Sequence, residues 1–322
     1  MALVASACGG GSGLAATPGA TEAYVCNFAF TALPGTTVTP VDLVSHTAGQ
    51  RLRIGSLPSA AAATPDGRRL VVTAQGDDVA VVLDTATDTS VARIGTGVEP
   101  DAVAVTPDGS TALVANLGSG TVTPIDLRTL RAGRAIAAGQ QPDAVAVTPD
   151  GTTAVVADLA GNAVTLIDLR TMTTGARIPV GDEPDAVAVT PDGVTALVAD
   201  LGDGTVTPVD LASGRAGRPL PVGPGPRAVV VSDAGGSPTA WVAVGTSLVP
   251  VPVGDVAAGR AGPPVAVGHV AEDLALTDHG RQAWVAGIDG TLTPVDLTSG
   301  RAGHALHVGG RPSAVAVAVS PS

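Results

Sequence analysis

Pro142-Asp143-Ala144-Val145-Ala146-Val147-Thr148-Pro149-Asp150-Gly151 is followed by Ala154-Val155-Val156-Ala157-Asp158, then Ala163-Val164-Thr165-Leu166-Ile167-Asp168-Leu169, then Ala176-Arg177-Ile178-Pro179-Val180-Gly181. The first piece alternates at period two with β-branched residues on one face, the pattern of a strand. Thr148-Pro149-Asp150-Gly151 is a turn: proline presets φ, the aspartate binds its own backbone and glycine accepts a positive φ. The other pieces read as three further short strands joined by tight connections. Four antiparallel strands in about 38 residues make one blade of a β-propeller.

The unit recurs. Pro58, Pro100, Pro142, Pro184 and Pro226 are spaced by 42 residues, and so are Asp84, Asp126, Asp168 and Asp210. Counted from the second strand, seven units begin near Tyr24, Val71, Leu113, Val155, Leu197, Trp241 and Trp284. The first carries an insertion at residues 28–35. The fifth and sixth are degenerate, with Val251-Pro252 in place of Val-Asp and Thr277-Asp278-His279-Gly280 in place of Thr-Pro-Asp-Gly. The fold expected is all-β: a seven-bladed propeller over residues 23–322. Because the chain enters on a second strand and leaves on a first, the C-terminal strand should supply the inner strand of the closing blade, leaving no open sheet edge in the ring.

Composition agrees. A chain of 322 residues ordinarily suggests about two domains, but repetition overrides length. With 42 Gly, 26 Pro and 45% hydrophobic residues, short strands and turns fit better than helices. The net charge is −12 and all 17 basic residues are arginine, with no basic stripe. This argues against nucleic acid as a partner and against an anionic membrane surface. No apolar run spans a bilayer.

The segment Tyr24-Val25-Cys26-Asn27, the third strand Thr121-Val122-Thr123-Pro124-Ile125-Asp126, and the joint from Val180-Gly181 to Pro184 with Ala186-Val187-Ala188-Val189-Thr190-Pro191-Asp192-Gly193 together resemble the YVTN-type β-propeller repeat of bacterial surface and secreted proteins. The resemblance covers residues 23–320. It implies the fold and says little about activity. No Trp-Asp dipeptide or Gly-His pair recurs as a WD-type propeller would require.

Residues 1–22 read as a truncated lipoprotein signal and flexible tether. Val4-Ala5-Ser6-Ala7-Cys8 resembles a lipobox, which makes Cys8 the expected lipid anchor, although position −3 is alanine and the charged and apolar parts of a signal are short or missing. The expected location is outside the cytoplasm, membrane-anchored or secreted, with contact to a membrane only through that anchor. A cytoplasmic location follows if the start is the true one.

Several residue types here are capable of chemistry. The aspartates ending strand three (Asp42, Asp84, Asp126, Asp168, Asp210, Asp296) and those of the Pro-Asp-Gly turns (Asp66, Asp108, Asp150, Asp192) are expected to hold turns. His304 and His307 are placed on opposite faces of one strand. His269, near Glu272 and Asp273, is a loop histidine with some capacity for a metal. No serine stands in Gly-x-Ser-x-Gly. Trp241 and Trp284 are expected to pack blades, and Cys26 to be a small buried residue. Pro40, Pro124, Pro208 and Pro294 fall inside strand three, where a missing N–H is expected to face a short or loosely paired strand four.

The functional expectation is positional. The residue after each recurring proline opens an inner strand at one mouth of the channel: Ser59, Asp101, Asp143, Asp185, Arg227, Glu272 and Ser313. Glu99, Asp182, Glu183 and Asp273 adjoin them. Loops after strand two are expected on the same face, adding Asn116, Asp158, Asp200 and Asp203. Asp101, Asp143, Asp185, Arg227, Glu272, Asp158 and Asp200 are therefore the candidate ligand-binding residues. The expected role is non-enzymatic binding or scaffolding of a protein or small cationic ligand by a monomer, with no resident cofactor beyond a possible Ca²⁺ at the acidic mouth. The alternative is an enzyme of lyase, lactonase or hydrolase type acting there.

Overall fold

The computed structural model describes residues 22–28, 35–234, 237–255 and 259–318. Cys8 and residues 29–34 of the first insertion lie outside them. Seven antiparallel sheets form a closed ring. Each inner strand touches the inner strands of the blades on either side, and the seventh touches the first. Blade three shows the plan: Pro142–Val147, Thr153–Asp158, Ala163–Asp168 and Thr173–Pro179 pair in that order. Blades one, two, four, five and six open on Pro58–Ala63, Pro100–Val105, Pro184–Val189, Pro226–Ser232 and Ala271–Thr277.

The seventh blade closes the ring as expected. Its inner strand is Pro312–Ala318, which pairs with Glu22–Asn27, and that strand pairs in turn with Thr37–Asp42. Among the described residues no helix is long and apolar enough to cross a membrane.

The core lies between blades. Ala144, Ala146, Val155 and Ala157 of blade three pack against Val187, Val189 and Val198 of blade four. Alternating alanine and valine suits this geometry, because sheets converging on an axis leave room only for small side chains near it. The larger side chains sit further out. Tyr24 and Trp284 are fully buried, and the turn after strand three reaches back to each: Tyr24 Oη lies 3.1 Å from Asp88 Oδ1, and the His46 ring meets Trp284 edge-on at 5.4 Å. Trp241, at 7% exposure, also packs a blade, and Cys26 is buried.

Outer strands differ between blades for one reason. Where strand three has no proline, strand four is continuous: Thr89–Gly95 and Thr173–Pro179. Where it has Pro40, Pro124, Pro208 or Pro294, strand four breaks into two-residue pieces, such as Arg131–Ala132 and Ile136–Ala137. Gly133 N donates to Pro124 O at 2.7 Å. The N–H and C=O of one strand residue point the same way, so the donor that proline lacks is on the strand-four side. A Cβ at Gly133 would approach Pro124 Cγ to 3.2 Å, so glycine faces proline here.

The turn aspartates behave as expected. Asp126 Oδ1 accepts from Arg128 N and Thr129 N at 2.8 and 2.9 Å, and Asp150 Oδ1 accepts from Thr148 Oγ1 at 2.6 Å. These donors hold both carboxyls below their ordinary range. The placement of His304 needs correction: it lies outside any strand, and only His307 stands in one, the two-residue Leu306–His307, because strand four of that blade is interrupted.

Candidate functional site

The seven residues following the blade-opening position share one structural property. Pairing passes from Pro142↔Asp158 directly to Ala144↔Ala157, so Asp143 is an extra, unpaired residue: a β-bulge. The same shift occurs at Asp101, Asp185, Arg227, Glu272 and Ser313, and the irregular stretch of the first inner strand contains Ser59. A bulge frees the side chain from the alternation of the strand. Sevenfold repetition then makes a ring at the channel end where the inner strands begin.

One half of the ring is paired from within, by hydrogen bonds at the serines and by ion pairs at Glu272. Ser59 Oγ donates to Pro100 O of the next blade at 3.1 Å, and Ser313 Oγ lies 3.1 and 3.0 Å from Pro58 O and Ser59 O. Glu272 meets Arg227 at 3.6 Å and Arg311 at 3.7 Å. Burial raises its carboxyl, and the two guanidinium groups oppose that rise.

The other half is an acidic arc. Asp101, Asp143 and Asp185 are at most 1% exposed. Gln75 Nε2 donates to Asp101 Oδ1 at 3.1 Å. Neither oxygen of Asp143 and neither oxygen of Asp185 receives a hydrogen bond. Burial pushes the Asp143 carboxyl well above its ordinary range, and the charges of Asp101 and Asp185 push it further. Asp185 is raised by burial as well, with Arg227 pulling the other way. The expected crowding of Asp101, Asp143 and Asp185 on one arc is therefore present, in a buried ring rather than on solvated loops. Asp273, beside Glu272, accepts from Val315 N and Leu274 N at 2.9 and 2.8 Å, and burial raises it to about 8. It ties blade six to the closing strand.

Asp158 and Asp200 lie one strand outside the ring and are fully buried. They clamp the linkers between blades: Asp158 Oδ1 accepts from Gln140 N and Gln141 N at 2.9 and 3.1 Å, and Asp200 Oδ1 accepts from Gly181 N at 3.1 Å. Asp200 also accepts from Thr205 and Thr207 at 2.9 and 2.6 Å, and its pKa is raised by burial to about 6. The two were expected on mouth loops; they stand instead at strand-two ends, bonded to linker N–H groups and as deeply buried as the ring aspartates. Asn116 does the same work, accepting from Gly97 N at 3.0 Å and donating to Thr123 Oγ1 at 2.9 Å. A Cβ at Gly181 would lie 2.5 Å from Asp200 Cγ, which accounts for the recurring linker glycine.

His269 substitutes for this clamp. In its blade the strand-two terminus is Gly287, and the imidazole occupies the space, with Nε2 2.8 Å from Thr293 Oγ1 and Nδ1 2.4 Å from where a Gly287 Cβ would stand. Among the described residues no group of three His, Cys, Asp or Glu side chains is placed to hold a metal ion.

Around the buried arc stand exposed acids. Glu99 N donates to Asp78 Oδ1 at 2.8 Å, Asp182 N to Asp203 Oδ2 at 2.9 Å, and Asn162 Nδ2 to Asp182 Oδ1 at 2.7 Å. Glu99, Asp182, Glu183 and Asp203 all remain exposed. They form an exposed acidic rim.

A family described as YNCE-like beta-propeller matches residues 54–157. Among curated proteins none matches the chain by sequence. Solved structures of similar shape include hydrazine synthase of Kuenenia stuttgartiensis, 22% identical with a TM-score of 0.72, covering 82% of this chain and 90% of that one. A functionally unknown protein from Desulfotomaculum acetoxidans is 16% identical with a TM-score of 0.79, covering 92% and 99%. The periplasmic gluconolactonase of Pseudomonas aeruginosa is 20% identical with a TM-score of 0.73, covering 92% and 98%. At these identities the likeness concerns the fold: this chain is a β-propeller repeat protein, and its neighbours in shape include enzymes of unrelated chemistry.

Proposed function

We propose that the protein is a non-enzymatic binding propeller that engages a positively charged partner at the acidic end of its channel. The observation that carries this is the exposed rim of Glu99, Asp182, Glu183 and Asp203 standing over a buried arc whose carboxyl oxygens receive no hydrogen bond. Such a field steers cationic groups toward the mouth. The test is binding of an oligoarginine peptide at low salt. Changing Glu99→Gln, Asp182→Asn, Glu183→Gln and Asp203→Asn together is expected to abolish it. A control neutralising Asp84, Asp126, Asp168 and Asp210 at the opposite end is expected to leave most of the binding. Equal loss in both would mean that net charge alone is at work.

A second reading, an enzyme of lyase, lactonase or hydrolase type at the same mouth, is favoured by the raised carboxyl of Asp143, since a general acid must hold its proton near neutral pH. Against it stands the burial of that carboxyl, which leaves it out of reach of a substrate unless the ring opens. The proposal extends to location: as in YVTN-type repeat proteins, the chain is exported and either secreted or tethered through Cys8. Membrane fractionation of a form extended upstream, beside its Cys8→Ser variant, tests this. Equal soluble fractions would contradict the tether.

A further inference from the structure

The acidic arc contains four carboxylate oxygens, two on Asp143 and two on Asp185, to which no N–H or O–H of the protein donates, and both side chains are fully buried. Burying an ionised carboxylate without donors costs several kcal/mol, so such groups are ordinarily neutralised, paired or liganded. The same bulge position elsewhere in the ring shows the alternatives, with serine hydroxyls on the next blade's carbonyls and Glu272 charge-paired with two arginines, its Oε2 receiving no hydrogen bond.

Three occupants are conceivable for the arc. Protons shared by Asp143 with Asp101 and with Asp185, both within its hydrogen-bond reach, serve the oxygens of Asp143 and leave one oxygen of Asp185 unmet. A metal ion held by the protein needs several ligands converging on one point, and no three acids or imidazoles among the described residues do so. A cation that carries its own donors needs no convergence, because each N–H takes a separate oxygen. An ammonium head has three N–H groups and one positive charge on a compact centre. Asp143 and Asp185 are themselves fully buried, so the head enters as the ring opens at its half-buried members, Arg227 and Ser313.

We infer that the arc is a site for the ammonium head of a primary amine, hydrogen-bonded by Asp143 and Asp185 and bounded on the far side by Arg227. The inference rests on the proposal that the acidic end binds cations, and it names the chemistry of the group that enters. That group is either a free amine or a lysine side chain of a partner. A guanidinium fits less well, because its planar fork calls for a coplanar carboxylate rather than two carboxylates on adjacent blades.

The experiment is calorimetric titration of the full-length protein near neutral pH and low salt with methylammonium chloride. Parallel titrations use tetramethylammonium chloride, calcium chloride and short lysine- and arginine-containing peptides. Saturable methylammonium binding is expected, with none for tetramethylammonium, which has the charge and no N–H. Asp143→Asn is expected to weaken it at least tenfold. Should that variant fold poorly by thermal melting, Asp185→Asn gives the same readout. Binding of the lysine peptide at least as tight as methylammonium assigns the ammonium to a partner's side chain, and methylammonium binding alone assigns it to a free amine. Absence of saturable heat with methylammonium, equal binding of tetramethylammonium, or Asp143-dependent binding of calcium alone would overturn the inference. The rim variant of Glu99, Asp182, Glu183 and Asp203 separates the two claims: it is expected to lose oligoarginine and keep methylammonium. Rim-dependent peptide binding without methylammonium binding sinks this inference and leaves the proposed function standing.

Discussion

Asp143 and Ser313 occupy the same bulge of two inner strands, on opposite sides of one ring. Ser313 gives its hydroxyl to the carbonyls of Pro58 and Ser59 on the neighbouring blade. Asp143 has no donor for either oxygen. The half of the ring running from Arg227 through Glu272 and Ser313 to Ser59 is closed on itself by hydrogen bonds and ion pairs. The half formed by Asp101, Asp143 and Asp185 is left with unmet acceptors. The backbone is the same in both, so the difference belongs to side chains alone. A repeated fold supplies seven equivalent positions at no extra structural cost, and function can be written on some of them while others hold the ring shut.

The comparison breaks most severely if the closed half is opened. Deleting residues 313–322 removes Ser313 and most of the strand that pairs with Glu22–Asn27, exposing a sheet edge in blade seven. Loss of cooperative thermal unfolding, or aggregation, is expected. A truncated chain melting like the parent would mean that closure does not depend on this strand. A milder break is Arg227→Ala, which leaves the buried Glu272 with Arg311 alone. Removing one partner of a buried pair costs about 3–5 kcal/mol; with Arg227 partly exposed and Arg311 still in place, a smaller loss is expected, read as a lowered denaturant midpoint. Ser59→Ala removes the hydroxyl that reaches Pro100 O and is expected to cost about 1 kcal/mol.

The ring was legible in the sequence because the position after the blade-opening residue recurs at a fixed interval, and the closing strand was legible from the phase of the repeat. Burial of the ring was not, because a polar residue beside a proline at a strand start reads as a loop; only the bulge shows that it turns toward the axis. The clamps at Asp158 and Asp200 were placed on mouth loops because the sequence locates a strand end without showing what its side chain binds. The pairing of His269 with Gly287 was legible in principle: the Asn or Asp that ends strand two in four blades is missing there, and a large polar residue stands in the preceding linker. The interruption of strand four was foreseeable from Pro40, Pro124, Pro208 and Pro294, since a missing donor acts the same way in any sheet.

Removing the charge of a buried, raised carboxyl is expected to stabilise the fold, unlike the loss of Arg227 or Ser59. Asp143 and Asp185 are raised, Asp200 lies at about 6 and Asp273 at about 8, so all four hold protons more tightly folded than unfolded. Their contribution is intact below about pH 4 and is lost as the pH rises through the folded values, so stability falls between about pH 4 and 8. Asp126 and Asp296 are lowered, the latter to about 2, and their contribution is lost on acidification below about pH 4. Melting temperature is therefore expected to peak near pH 4–5. Asp143→Asn should raise it by roughly 2 °C or more at about pH 8 and leave it unchanged at about pH 4. A variant that melts lower than the parent at both pH values would contradict the burial of an uncompensated charge.

The smallest expected effect lies outside the ring. Pro124→Val restores the donor toward strand four, as at Leu166, whose partner Gly175 lies inside the continuous strand Thr173–Pro179; because this edge is exposed, the change in stability should stay within about 0.5 kcal/mol. A larger gain would mean that the outer edge contributes more than an exposed strand should.

The most direct measurement of the difference between the two halves is a pH titration of aspartate side-chain carboxyl carbons by NMR, with Asp143→Asn and Asp185→Asn used for assignment. Resonances of Asp143 and Asp185 are expected to begin moving only well above the usual aspartate value of about 4, and assigning either variant should shift the midpoint of the other residue, as coupled groups require. Both residues titrating independently near 4, like solvated surface acids, would contradict the buried arc on which the account of the site rests.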